Sequence, residues 1–253
     1  MATLWLVRSS APARFRNANA TPFDMSQFWE QRIADIREQL LLMSGLTEGN
    51  LAQAMRGLVE RNDKACDVAE AGDAKVDQLE MHIDEMVVTF MAMHGPTARD
   101  CRMMLTASKI SNNLERIADE ATKIARRARE LNTEPLLKPL IDIPLMADIA
   151  QEMLRDSITA FSDGNHELAI EIIARDRSVD SINKQLEREL IGYMVENPKA
   201  VTRALHLMTI SRAIERIADH ATNIAEEVYY LCKAQDIRHE PSLKGTTRAG
   251  GEE

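Results

Sequence analysis

The chain contains one stretch of eleven residues twice, in nearly identical form. "ERIADEATKIA" begins at Glu115, and "ERIADHATNIA" begins at Glu215, one hundred positions later. The two copies differ at two positions only: Glu120 corresponds to His220, and Lys123 corresponds to Asn223. A repetition of this kind at long spacing indicates a tandem repeat of one structural unit.

Apolar residues around the first copy have the spacing of a helix. They step by four and three positions and therefore lie along one helical face. Glycine (10) and proline (8) are scarce in the 253 residues and aromatic residues make up 4%, so the composition also favours helices over strands. The stripe around the first copy consists of Ile110, Leu114, Ile117, Ala121, Ile124, Ala128 and Leu131. The second copy has a corresponding stripe from Ile210 to Val228.

Helix-breaking residues divide the chain into six predicted helices, three before a proline-containing linker and three after it. The match also extends upstream, because the segment beginning at Asp73 corresponds to the one beginning at Asp176. We therefore predict an all-α fold built from a tandem repeat of two antiparallel three-helix bundles. The predicted helices are 24–61 with a break near Gly45, 64–93, 97–132, 144–162, 165–195 and 199–233. The predicted organisation is a disordered arm (1–22), a first repeat (23–134), a linker (135–144), a second repeat (145–233) and a flexible tail (234–253).

The charge of the chain limits its partners. Forty acidic and thirty-one basic residues give a net charge of −9, which argues against nucleic-acid binding and against a polybasic membrane surface. No apolar run approaches the roughly 18 residues of a spanning helix. The three cysteines are widely spaced and odd in number, which indicates small buried or half-buried residues of a reducing compartment, without a disulfide framework. We expect a soluble, cytoplasmic protein without membrane insertion.

Each repeat carries two pairs of acidic residues at a spacing of four. On a helix, residues i and i+4 lie on the same face, where like charges repel by roughly 0.2–0.5 kcal/mol per pair. The pairs recur at matching positions on helices that short connections make antiparallel neighbours. Two neighbouring helices can thus present four carboxylates to one place. The pairs are Asp73 with Asp77, Glu115 with Asp119, Asp176 with Asp180, and Glu215 with Asp219.

Several carboxylates at one place are typical of a site for Mg²⁺, Mn²⁺, Ca²⁺ or iron, and they can bridge more than one ion. The alternative is an acidic surface neutralised by neighbouring arginines such as Arg116 and Arg216. The Glu-x-x-His pattern of di-iron bundles is missing, and His220, beside Asp219, is the one histidine considered as a ligand. A carboxylate-bridged metalloenzyme and a metal-free helical scaffold remain as alternatives, although no phosphate loop or nucleophile elbow is present in the sequence.

Taken together, the doubled "ERIAD" motif, its upstream DxxxD partner, the proline-containing break and the tandem layout resemble the PhoU family, over about residues 24 to 233. The resemblance implies two related three-helix bundles, each with an acidic patch that can hold a metal cluster. By position, the patches are the same eight residues. Ala118 and Ala218 stand where the family often has glycine, and Glu120 stands where histidine is common.

The resemblance also implies a regulatory function and no catalysis. A PhoU-like protein is expected to restrain phosphate uptake and to keep the phosphate-starvation response off when phosphate is sufficient. Its expected partners are the ATPase of the phosphate importer and a membrane-bound sensor histidine kinase, and it is expected to form a homodimer. The expected cofactors are divalent or trivalent metal ions, with iron, manganese, magnesium and zinc as candidates.

Overall fold

The computed structural model describes residues 25–93 and 96–238, which form six long α-helices and one short 3₁₀ helix. The predicted N-terminal arm and residues 239–253 of the predicted tail lie outside the described residues. No strand occurs within the described ranges, so the all-α prediction is confirmed. The helices are α1 (Met25–Val59), α2 (Asp63–Met93), α3 (Ala98–Asn132), α4 (Asp142–Asp163), α5 (His166–Glu196) and α6 (Val201–Lys233), with the 3₁₀ helix at Pro198–Ala200.

The predicted helix break near Gly45 is wrong. Gly45 and Gly49 both lie inside the unbroken helix α1. A glycine inside a helix costs about 1 kcal/mol relative to alanine, but burial of an apolar face supplies most of the stability of helices in proteins. Leu40, Met43 and Leu51 on α1 are fully buried, and their packing maintains the helix through both glycines.

The turns between helices are set by specific end residues. The Thr97 hydroxyl accepts a hydrogen bond from the Asp100 backbone N–H, and Asp100 accepts one from the Thr97 backbone in return, which fixes the start of α3. Asn165 accepts hydrogen bonds from two backbone N–H groups at the start of α5. Gly164 just before it has a φ of 65°, the left-handed conformation that glycine adopts readily. These turns keep consecutive helices antiparallel.

Parts of the predicted linker (135–144) and of the predicted tail (234–253) belong to the helices or to the packed core. Helix α4 begins at Asp142, inside the predicted linker, and Pro144 is in its first turn, where proline is tolerated. Beyond α6, Ile237 is only 2% exposed, so packing continues past the predicted start of the tail. Cys66 is buried and Cys101 is half-buried, as predicted. The prediction is wrong for Cys232, which lies in the last turn of α6 and is exposed.

The two predicted bundles share one continuous hydrophobic core. Helix α3 packs against α1 and α2 of its own repeat and also against α6, which packs in turn against α4 and α5. Helices α3 and α6 are therefore the two central helices of the molecule. Among the described residues, no helix combines the length and hydrophobicity needed to cross a bilayer.

The repeated motif forms the contact between α3 and α6, which we call the seam. Contacts along it pair Lys109 with Glu227 at one end and Glu130 with His206 at the other, so the two helices are antiparallel. Both predicted apolar stripes are buried there. Ala118 and Ala218 lie midway along the seam, each with 0% exposure, and their small side chains allow the two helices to approach closely.

Candidate functional site

The outer surface of the first repeat is organised by hydrogen bonds between α2 and α3. The Ser108 hydroxyl donates to Asp84 over 2.7 Å, and the Asn112 amide donates to Glu80 over 3.4 Å. Four residues earlier on α2 therefore lie level with four residues later on α3, as expected for antiparallel helices. Continuing this register places Asp77 level with Glu115 and Asp73 level with Asp119. We call these last four residues the first acidic face.

The carboxylates of the first acidic face influence one another electrostatically. Burial raises the pKa of Asp73 above its ordinary value, and the negative charges of Asp77 and Asp119 raise it further. The Thr122 hydroxyl and the Arg126 guanidinium oppose this shift. Side chains from both helices therefore converge on Asp73.

Glu115 shows the same behaviour from the other helix. Burial raises the pKa of Glu115 most, and the neighbouring charges of Asp119, Glu80 and Asp77 add to the shift, while Arg116 lowers the pKa. Its Oε2 atom is buried and accepts no hydrogen bond, although Arg116 Nε is 3.2 Å away. The four predicted acids of the first repeat thus lie within electrostatic range across α2 and α3.

The corresponding residues of the second repeat, Asp176, Asp180, Glu215 and Asp219, are called the second acidic face. Burial raises the pKa of Glu215, and the charges of Asp180 and Asp219 raise it further, opposed by a hydrogen bond with Asn183. Asp176 lies one helical turn before Asp180 on α5 and is half-buried. Three of the four predicted acids thus interact across α5 and α6, and the fourth follows on the same helix.

These arrangements favour the binding of positive charge. Carboxylate oxygens are the ligands that hard cations prefer, and a bound cation would offset both the burial and the mutual repulsion. The donor chemistry of the acidic faces therefore fits a metal ion. Among the described residues, however, no three Asp, Glu, His or Cys side chains already stand in an arrangement that could hold one.

His220, considered as a metal ligand from its position beside Asp219, contacts the seam. Its Nδ1 atom is 2.9 Å from Oδ1 of Asn113 on α3. Burial lowers the pKa of His220, as do the nearby positive charges, whereas the Glu120 carboxylate raises it. His220 therefore contributes to the contact between the two repeats.

Sequence reasoning missed three carboxylates beside the faces. Glu80 and Asp84 continue the acidic stripe of α2. Glu187 on α5 lies near Glu215 on α6, and its charge raises the pKa of Glu215. The signal was available in α2, because Asp73, Asp77, Glu80 and Asp84 step by four, three and four positions. Extending the pairs into a stripe would have found the two residues on α2.

The fold and these surfaces define a class of protein: an all-helical tandem repeat that carries a related acidic surface on each half. Comparison with known families identifies the class more closely. The sequence matches the PhoU domain twice, over residues 40–128 and 143–228. The chain belongs to the PhoU family.

Relatives and solved structures agree with this assignment. The chain is 35% identical over 224 residues to the "Phosphate-specific transport system accessory protein PhoU homolog" of Pseudomonas putida, covering 88% of each protein. It is 37% identical over 210 residues to the homolog of the same name from Aquifex aeolicus, covering 83% of this chain and 95% of that protein. The crystal structure of PhoU from Pseudomonas aeruginosa has a TM-score of 0.80 at 35% identity, covering 82% of this chain and 100% of the other.

A more distant structure supports the fold alone. The phosphate transport system regulatory protein PhoU from Streptococcus pneumoniae superimposes with a TM-score of 0.77 at 22% identity, over 82% of this chain and 98% of that one. The names of the curated relatives describe accessory proteins of phosphate transport and no enzymatic activity. The metalloenzyme alternative therefore has no support from the relatives.

Proposed function

We propose that this protein is an accessory regulator of phosphate transport that restrains phosphate uptake and keeps phosphate-starvation signalling off when phosphate is sufficient. It acts as a helical adaptor in the cytoplasm, between the ATPase of the phosphate importer and a sensor histidine kinase. The names of its relatives support the phosphate-transport role. The observation that carries the adaptor role is the presence of two related acidic surfaces on opposite halves of one shared core.

Two surfaces on one core suit a protein that contacts two partners. Because α3 and α6 pack against each other from the Lys109–Glu227 contact to the Glu130–His206 contact, the two acidic faces are held in a fixed relation. Charged surfaces contribute to partner choice and to the rate of encounter more than to affinity. An acidic face therefore selects partners with a complementary basic surface.

Metal ions are part of the proposal. Asp73, Asp77, Glu115 and Asp119 would hold one group of ions, and Asp176, Asp180, Glu215 and Asp219 the other. A bound ion would neutralise the crowded carboxylates and give the face a defined shape for docking. Elemental analysis of the purified protein checks this: a metal content at background, with a melting temperature that a chelator does not change, would leave a metal-free scaffold.

The function is tested by deleting the gene and restoring it with variants. Deletion should switch on phosphate-starvation genes in phosphate-rich medium, and the wild-type gene should switch them off again. The double variants Asp77→Asn with Asp119→Asn and Asp180→Asn with Asp219→Asn should restore repression incompletely. Unchanged expression after deletion would contradict the proposal.

A matched control separates the acidic faces from general charge effects. Asp148 and Glu152 are both exposed on α4 at a spacing of four, so Asp148→Asn with Glu152→Gln removes the same charge elsewhere. This control should repress like the wild type and should still retain the importer ATPase and the sensor kinase in pull-downs.

Light scattering of the purified protein tests the proposed homodimer.

A further inference from the structure

Threonine occupies the same position in both copies of the repeated motif. Thr122 and Thr222 are each the eighth residue of their copy, one hundred positions apart. Both side chains are only 4% exposed, although threonine is mostly found at protein surfaces. Burial of a hydroxyl costs free energy unless the group has a polar partner, so both positions require one.

Neither hydroxyl has the partner that threonine commonly finds inside a helix, which is the backbone carbonyl four residues earlier. Thr47, Thr159 and Thr209 donate to that carbonyl, over 3.0, 3.0 and 2.8 Å. The Oγ1 atoms of Thr122 and Thr222 are buried and make no hydrogen bond within the described part of the chain. Both hydroxyls are therefore left for another partner.

Thr122 lies at the first acidic face. Its hydroxyl is beside the Asp73 carboxylate, across the contact between α2 and α3, and lowers the pKa of Asp73. Asp73 Oδ1 is itself buried without a hydrogen-bond partner, and so is Glu115 Oε2 on the same face. Buried polar atoms without partners are rare in native proteins. A bound cation would satisfy the oxygen atoms of this face together.

The second acidic face has the same feature. Thr222 lies at the matching position on α6, and Asp176, which matches Asp73, lies on the neighbouring helix α5. Asn183 forms a hydrogen bond with Glu215 on this face, is 4% exposed, and has an Oδ1 atom that also lacks a partner. Neutral oxygen atoms without partners therefore occur at both faces.

A hydroxyl oxygen suits the cations that carboxylates bind. Hard cations such as Mg²⁺ and Mn²⁺ prefer oxygen ligands, and a threonine or serine hydroxyl binds Mg²⁺ in phosphate-binding loops. A hydroxyl can donate its hydrogen to a carboxylate and offer a lone pair to the cation. No three acidic, histidine or cysteine side chains of the described ranges are placed to hold an ion by themselves, so each face needs further donors.

We propose that Thr122 and Thr222 are ligand residues of the two acidic faces, and that each supplies a hydroxyl oxygen to a divalent cation held beside Asp73 or Asp176. The inference rests on the metal-binding part of the proposed function. It does not depend on which protein partners the faces contact.

Paired threonine variants of the full-length protein test the proposal. Asp180→Asn with Asp219→Asn disables the second face, so that a Mn²⁺ titration followed by water-proton relaxation reports on the first face alone. In this background Thr122→Val, which keeps the shape of the side chain but loses the hydroxyl, should weaken Mn²⁺ binding about tenfold. Thr122→Ser keeps the hydroxyl and should remain within about twofold of the unmodified background.

The mirrored experiment uses Asp77→Asn with Asp119→Asn, where Thr222→Val should weaken Mn²⁺ binding at the second face. Thr106→Val is the matched control, because Thr106 on α3 is fully buried and its hydroxyl also lacks a partner, but it lies about 24 Å along the helix from Thr122. This control should leave the Mn²⁺ affinity unchanged.

Melting temperatures give a second measurement. Without metal, Thr106→Val and Thr122→Val should shift the melting temperature by similar amounts, because each loses one buried hydroxyl. Added Mn²⁺ should raise the melting temperature less for Thr122→Val, since a weaker ligand stabilises the folded state less.

Unchanged Mn²⁺ affinity in Thr122→Val, equal weakening by Thr106→Val, or a loss in Thr122→Ser as large as in the valine variant would each overturn the role of the hydroxyl and leave the carboxylate site standing. Absence of saturable Mn²⁺ binding to the wild type would overturn both. The regulatory function would then still be decided by the gene deletion.

Discussion

Arg116 and Arg216 occupy the same position in the two copies of the motif, but they pair differently. Arg116 lies 3.2 Å from Glu115 and 3.6 Å from Asp119, on the first acidic face. A guanidinium nitrogen of Arg216 lies 3.4 Å from Glu120, across the seam. The difference follows from the residue opposite, because α3 presents Glu120 to Arg216 where α6 has a histidine. The fold is repeated, but the electrostatics are not.

The regions next to the faces differ in the same way. Beyond the first face, Glu80 and Asp84 accept hydrogen bonds from the neutral side chains of Asn112 and Ser108. Beyond the second face, Asn183 replaces the first of these acids, and Glu187 pairs with Arg212 over 2.8 Å. The first repeat is therefore the more acidic of the two in this region. Two surfaces with the same backbone arrangement but different charges can discriminate between partners.

The largest expected effect tests whether the two copies are equivalent in packing. Ile117 and Ile217 are both 0% exposed at matching positions in the seam. Replacing either by alanine should lower the free energy of unfolding by about 2–5 kcal/mol, through lost burial and a remaining cavity. Urea denaturation should show losses that agree within about 1 kcal/mol.

Val59→Ala is the control for the isoleucine variants, because Val59 is 50% exposed and should lose little stability. A large loss in one repeat and none in the other would show that the shared core is not symmetric.

The second prediction addresses the two arginines. On the proposed metal-binding role, Arg116→Gln should raise the affinity of the first acidic face for Mn²⁺ about fivefold, near 1 kcal/mol, because it removes a cation that competes for Glu115 and Asp119. Arg216→Gln should have a smaller effect, since Arg216 contacts Glu120. Paramagnetic relaxation during a Mn²⁺ titration measures both. A larger effect for Arg216 would reverse the comparison.

The third prediction concerns pH in metal-free buffer. The raised pKa values of Glu115 and Glu215 mean that the folded state favours their protonated forms, so their contribution to stability is present below the ordinary value of 4.5 and is lost as pH rises through the raised pKa. Glu115→Gln and Glu215→Gln should therefore be more stable than the wild type at pH 7, by about 0.5 kcal/mol.

Melting curves of these glutamine variants across pH should show the advantage shrinking as the pH approaches 4.5. Glu171→Gln, an exposed site on α5, serves as the control. Destabilisation of either glutamine variant at pH 7 would contradict the raised pKa.

The smallest effect is expected for the charge interaction between Glu120 and His220. The Glu120 carboxylate raises the pKa of His220 against the effect of burial. Glu120→Gln should therefore lower the pKa of His220 further, because the imidazolium loses a favourable charge. NMR titration of the histidine ring measures the change, with Glu171→Gln again as the control. An upward shift would show that Glu120 does not act on His220.

Local patterns made the helices and the members of the acidic faces predictable. The apolar stripe from Ile110 to Leu131 follows from spacing alone, and so does the placement of Glu115 and Asp119 on one helical face. The contacts between helices were not predictable, because their register depends on turn geometry and side-chain packing. Lys109 and Glu227 are 118 positions apart, and nothing in the sequence pairs them.

The failure at Gly45 has a physical reason. A single-residue preference of about 1 kcal/mol cannot outweigh the burial of a whole helical face, so glycine is a weak indicator of a helix end. The metal interpretation is different, because the carboxylate donors are present but no three ligand side chains among the described residues are placed to hold an ion. Sequence spacing describes the donors and not their final distances.

The central position of Ala118 opposite Ala218 also bears on how such a chain arose. Residues that correspond in the two copies meet at the middle of an antiparallel pair, which is the geometry of two identical subunits around a dyad. A half-length ancestor would have buried the same stripe against its own twin. Within a single chain the two copies need not complement themselves, and the difference between Glu120 and His220 is one that a symmetric pair of identical subunits could not have.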